Sequence, residues 1–200
     1  MRDLMRGITV DKTRVTPLNM LDGVYTQILS VAIPSNSSPE ILSRFHSVVG
    51  TIVLLQNPLP FRPLAILLQT DPNDVKGALV HSIIFLREPE NAPRIYHKSF
   101  PDFITDAKRC SHDPRFHVSI GIQHACIARN CFRVMDEQLR ENICDLKFQE
   151  KYLDNDKIQH LLSNRISVEL QYACIFSTQK RRQSLQTARK IFIYAFIALA

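Results

Sequence analysis

The chain has 200 residues and a mass of 23.0 kDa, with 45% hydrophobic and 22% charged residues. That suits one or two small domains with real cores and argues against wholesale disorder, while five glycines leave little material for glycine-dependent phosphate loops. The net charge of +6 is local: five of the 25 basic residues (Lys180, Arg181, Arg182, Arg189, Lys190) follow the last acid, Glu169, so residues 1–179 hold 20 basic against 19 acidic groups and lack the electrostatic footprint of a dedicated nucleic-acid binder.

Residues 1–16 are polar and mixed, and residues 1–12 lack the apolar core of a signal peptide. Leu18, Leu21, Tyr25, Ile28, Leu29 and Ala32 then recur at helical spacing and predict a first helix. Pro34-Ser35-Asn36 ends it. Ser37 and Glu40 have capping-box spacing, with Pro39 in the first turn, and open a second helix. Its expected inner face is Ile41, Leu42, Phe45, Val48, Val49, Ile52 and Leu55, and Asn57-Pro58 closes it. A short helix follows over 60–68, with Leu64, Leu67 and Leu68 apolar and Pro63 in its first turn. Asp71-Pro72-Asn73-Asp74 starts another, combining an N-cap, a first-turn proline and a carboxylate at the positive end of the dipole. Val75, Leu79 and Val80 face inward there.

The period then changes. Ser82-Ile83-Ile84-Phe85-Leu86 reads as a strand, residues 88–93 as a turn, and Arg94-Ile95-Tyr96-His97-Lys98 as an alternating strand with Ile95 and His97 on one face. Three helices and a hairpin are the order of a winged helix, placed at 38–105. Ser99 caps the next helix, anchored by Phe100, Phe103 and Ile104, with Asp102 in its first turn. After a loop at Asp113-Pro114, a long helix starts near Ser119 with the stripe Ala128, Phe132, Met135 and Leu139. A further stretch carries Ile158, Leu161 and Leu162. Ser167 caps a last helix with Leu170, Ala173 and Cys174 inward. The expected fold is mainly α: an N-terminal segment and linker helix (1–37), a winged helix with a small β-hairpin (38–105), a helical segment (106–176) and a basic, then apolar, tail (177–200).

The five cysteines, Cys110, Cys126, Cys131, Cys144 and Cys174, are odd in number and form no C-x-x-C pair, which reads as reduced thiols in a cytoplasmic protein. His112, His117, His124 and Cys126 come near metal-ligand spacing, but packing is the simpler reading. The carboxylates Asp102, Asp106 and Asp113 suit helix capping better than acid–base work. Cys110 and His112 are too close in sequence to imply a nucleophile pair. His46 reads as a boundary residue of the second helix.

Four runs together resemble a family. They are Leu21-Asp22-Gly23-Val24-Tyr25, Phe45-His46-Ser47-Val48-Val49-Gly50-Thr51-Ile52-Val53-Leu54-Leu55, His97-Lys98-Ser99-Phe100-Pro101-Asp102-Phe103 and Leu170-Gln171-Tyr172-Ala173-Cys174. In this order, over residues 18–174, they resemble fungal NACHT-type signalling NTPases of the STAND class, in the region after the nucleotide-hydrolysing core. The resemblance implies a winged helix and a helical arm that leads to repeats. It also implies that His97 is the histidine that touches the phosphates of bound ADP and holds the closed state; the residues alone favour a core histidine of the hairpin, on the same face as Ile95.

The chain has no G-x-x-x-x-G-K-[ST] loop, whose backbone N–H groups and lysine wrap the phosphates, and no apolar strand ending in paired aspartates for magnesium. The expected function is therefore a non-catalytic regulatory fragment, or a truncated gene product, with no cofactor of its own. Its expected partners are proteins, an NTPase core among them. The alternative is a winged-helix nucleic-acid module, but the helix over 71–80 is acidic at its start and carries one lysine, which suits no base reader. Tryptophan, usual after the last run in that family, is absent here. The segment 180–200, basic and then apolar for ten residues, is too short to span a membrane. It suits weak contact with an anionic membrane surface or packing on the body.

Overall fold

The computed structural model describes residues 17–80, 84–85, 92–95, 97–144, 160 and 164–182. The protein is mainly helical. In chain order it has α1 (Pro17–Ala32), α2 (Pro39–Leu54), α3 (Phe61–Leu68), α4 (Pro72–Val80), β1 (Ile84–Phe85), β2 (Arg94–Ile95), α5 (Phe100–Thr105), two 3-10 turns (Arg109–His112 and Pro114–Phe116), α6 (Ile120–Gln138) and α7 (Val168–Arg182). The expected segments at 1–16, at Ile158, Leu161 and Leu162, and at 183–200 lie outside the described residues, as does the turn at 88–91. No described helix is long and apolar enough to cross a membrane.

Local chemistry sets most boundaries. The side chain of Asp71 accepts the Asn73 N–H at 2.7 Å, so the first turn of α4 is capped as its sequence demands. Ser167 accepts the Leu170 N–H at 3.3 Å and caps α7. The cap of α2 moves by one residue, from Ser37 to Ser38, with Pro39 opening the helix. α3 ends at Gln69, whose φ of 54° and ψ of 46° are left-handed. The Thr70 N–H then returns to the Ala65 carbonyl, which satisfies an end group of the helix without glycine.

One hydrophobic cluster runs from Tyr25 to Phe176 and crosses residues 37 and 105 without a break. Phe45, Phe100, Phe103 and Phe116 are its largest fully buried side chains. α6 packs most extensively on α7, and also meets α2 and α3. α2 and α3 both pack on α4, α4 meets β1, and β1 pairs with β2 antiparallel, Ile84 opposite Ile95 and Phe85 opposite Arg94. Gly50 sits where α2 meets α6. A Cβ there would lie 3.0 Å from the Gln123 side chain and 3.2 Å from that of Val118, and the Gln123 amide donates to the Thr51 hydroxyl at 2.8 Å.

Two apolar faces differ from expectation. On α1 the buried line is Asp22, Tyr25 and Leu29, while Leu18 and Ile28 stay exposed. The ion pair of Asp22 with Arg109 (below) turns the helix so that a charged residue faces inward. On α6 the buried line is Gln123, Ile127, Cys131 and Val134. Ala128 and Met135 only border the core, and Phe132 and Leu139 are exposed. A face built on Cys131 admits the close approach of α7, with its fully buried Ala173, better than one bearing a phenyl ring. On α2, Ile41 is exposed, whereas Phe45, Val48, Val49 and Ile52 are buried as expected.

Candidate functional site

Of the strand expected over 94–98, Arg94–Ile95 is strand, Tyr96 lies outside the described residues, and His97 and Lys98 lie in a turn. The chain turns at His97, whose carbonyl accepts the Phe100 N–H at 3.0 Å, and the turn delivers α5. His97 is therefore not a core histidine of the hairpin. It is exposed, and its ring is held from one side. Nδ1 lies 3.1 Å from the Tyr25 hydroxyl and 2.8 Å from the Ser99 hydroxyl, and those two hydroxyls are 2.9 Å apart. The Ser99 backbone N–H also points to Nδ1 at 3.3 Å. An N–H can only donate, so Nδ1 accepts and the neutral ring carries its proton on Nε2. Among the described residues Nε2 enters no hydrogen bond of this network, so the N–H of this exposed residue is not committed within it.

Ser99 precedes α5 as expected, yet its side chain makes no cap bond; the hydroxyl is committed to Tyr25 and His97. Tyr25 is 3% exposed and is fixed by two rings of α5: Phe100 edge-on at 5.5 Å and Phe103 tilted at 5.2 Å. One turn earlier on α1, Asp22 accepts from Arg109 through Nε at 3.1 Å and Nη2 at 2.6 Å. This forked geometry is the strongest carboxylate–guanidinium arrangement, and Asp22 is 5% exposed. α1 thus holds the His97 turn and the first 3-10 turn with two adjacent polar contacts. Sequence reasoning missed Asp22 and Arg109. The available signal was the charge itself, one turn before Tyr25 on the face that leads to Leu29.

The remaining candidates resolve into structure. Cys110 is buried and its Sγ points to the Asp113 carbonyl at 3.6 Å. Burial first, then the charges of Asp113 and Asp22, push its thiol up to about 11, against nucleophilic use. His112 is exposed. Asp106 accepts the Lys108 N–H at 2.8 Å, and Asp113 accepts the Arg115 N–H and its guanidinium, the capping and loop roles expected of both. Asp102 is exposed in the first turn of α5. His46 is half-buried, and its Nε2–H donates to the Arg115 carbonyl at 2.7 Å. Among the described residues, no group of three or more His, Cys, Asp or Glu could hold a metal ion.

No protein family, curated protein or solved structure matches the chain.

Proposed function

We propose that this protein is a non-catalytic regulatory element, similar to the winged-helix and helical arm of a NACHT-type signalling NTPase. It acts through protein contacts and presents His97 to a nucleotide held elsewhere. In this reading α2, α3, α4 and the β1–β2 pair form the winged helix. One observation carries the reading: residues from two separate runs of the resemblance meet at one point. Tyr25, from the first, holds His97 and Ser99, from the third, through Nδ1 and leaves the Nε2–H of the exposed His97 uncommitted in this network. An imidazole N–H donates well to a phosphate oxygen, and better when the ring is protonated. A single exposed donor does not build a nucleotide site, so the phosphate cradle belongs to a partner NTPase core. Loss of the contact biases a two-state arrangement toward its open form.

The nucleic-acid reading has less support. The exposed positions of α4 and its cap are Asp71, Pro72, Asn73, Lys76 and Gly77, and Asp74 pairs with Arg44 at 3.2 Å, a poor surface for phosphates.

The test is release of labelled ADP from a NACHT-type core. The chain slows release, and His97→Ala abolishes the slowing. Tight ADP binding by the chain alone, or slowing that His97→Ala leaves intact, overturns the reading.

A further inference from the structure

The core takes one face of α6, the line Gln123, Ile127, Cys131 and Val134. A second line, Ala125, Ala128, Phe132, Met135 and Leu139, keeps the alternating three- and four-residue spacing of a helix–helix seam for about 21 Å. Ala125 is exposed, Ala128 and Met135 are partly exposed, and Phe132 and Leu139 are 52% and 40% exposed. An open groove of about 720 Å³ runs along Phe132, Arg133, Met135, Asp136 and Leu139. An apolar stripe of this kind marks a contact surface, and aromatic residues, Met and Arg are the side chains enriched where proteins meet.

Charge narrows the partner. α6 carries four charged residues, Arg129, Arg133, Asp136 and Glu137. Arg133 is committed to its own chain, donating to Glu137 at 2.7 Å and to the Ile66 carbonyl at 2.8 Å. Arg129 and Asp136 are exposed and enter no ion pair among the described residues; Arg129 reaches the Cys126 sulfur at 3.9 Å. The two stand one heptad apart, on the same solvent side of the seam.

We infer that this outer line of α6 packs antiparallel on the same line of a second copy of the chain. A two-fold interface must be self-complementary, and this stripe is. With two α6 helices antiparallel about its middle, Phe132 of one copy meets Met135 of the other, and the small Ala128 meets the larger Leu139. Arg129 of each copy then faces Asp136 of the other, so two pairs of opposite charge flank the contact. In a parallel pair in register the same two residues stay about 10 Å apart along the axis; the antiparallel sense is the one that brings them together. Two stripes of this length bury on the order of 1,000 Å² in total, at the low end for specific interfaces, so the dimer is a reversible one. It does not depend on the His97 contact proposed above.

Sedimentation equilibrium of the full chain tests this. The mass rises with concentration from 23.0 kDa toward twice that value. Phe132→Glu holds it at the monomer value with an unchanged circular dichroism spectrum. Arg129→Glu alone and Asp136→Arg alone each weaken association at least about tenfold, because each turns both flanking pairs into like charges. Mixing these two variants restores association, since each supplies the charge that the other has lost. Both positions are exposed, so the mixture decides the question even where Phe132→Glu fails to fold. A mass fixed at the monomer value at every concentration overturns the inference and leaves the stripe to another part of the chain or to a different protein. Association that survives Phe132→Glu places the contact on another surface and overturns it as well. Single charge variants that associate like the unaltered chain, or a mixture that does not restore association, overturn the antiparallel pairing.

Discussion

The α1–His97 corner and the α6–α7 pair belong to one core but are held by different forces. α6 and α7 meet through apolar side chains, among them Ile127, Cys131, Val134, Leu170 and Ala173, all at 1% exposure or less. Their polar contacts sit at one end, where Gln138 receives the Ser167 hydroxyl and donates to Glu169. At the other corner, α1 grips its neighbours with directional polar contacts, Asp22 on Arg109 and Tyr25 on His97 and Ser99, backed by the rings of Phe100 and Phe103. Apolar burial is non-directional and sets stability. Hydrogen bonds contribute less net free energy but fix orientation. The pair holds the protein together; the corner sets where one imidazole sits.

Substitutions should separate the two. Leu170→Ala, at a fully buried position of the pair, is expected to cost about 2–5 kcal/mol by loss of burial and a residual cavity. Urea denaturation measures it, and a loss below one kcal/mol at most, about the value for an exposed site, would break the comparison. Asp22→Ala is the largest change available at the corner. It leaves the Arg109 side chain, 16% exposed, without its carboxylate, at an expected cost of about 3 kcal/mol. Asp22→Ala with Arg109→Met should recover part of that loss; a double variant no better than the single one would show that the pair contributes little.

Tyr25→Phe sharpens the distinction. It keeps the ring contacts with Phe100 and Phe103 and removes the hydroxyl, so stability falls by only about 0.5–1.5 kcal/mol. The change should appear instead at His97, whose ring loses one of its two hydroxyl partners. The ¹⁵N shifts of the His97 imidazole report it. Unchanged shifts would mean that Tyr25 does not orient the ring.

Much of this division was legible in the sequence. Helix starts written in side-chain chemistry, Asp71-Pro72 and Ser167, hold, because a cap is a local interaction. The anchors Phe100, Phe103 and Ile104 are all fully buried. The faces of α1 and α6 were not legible. Both helices carry apolar residues on more than one side, and the choice depends on a partner distant in sequence: Arg109 is 87 residues from Asp22, and α7 follows α6 only after a long interval. The same distance hid the His97 site. Alternation suggested a strand, whereas Tyr25, 72 residues away, and the start of α5 fix a turn there.

The smallest effect concerns the loop between these regions. His46 on α2 donates through Nε2–H to the Arg115 carbonyl and lies edge-on to Phe45 at 5.6 Å. Burial lowers its pKa from 6.5, the hydrogen bond to Arg115 opposes that, and the nearby His117 lowers it further. The Arg115 guanidinium, paired with Asp113, also belongs to that loop. A histidine with a lowered folded pKa is favoured neutral in the native state, so its contribution is intact above pH 6.5. It is lost as pH falls from 6.5 through the folded value, because the unfolded chain binds the proton first. His46→Gln keeps an amide donor near Nε2 and cannot titrate. Urea midpoints of the two proteins should therefore diverge below pH 6.5, with the unaltered chain falling faster. Parallel curves would place the acid sensitivity in other groups and leave His46 a purely structural donor.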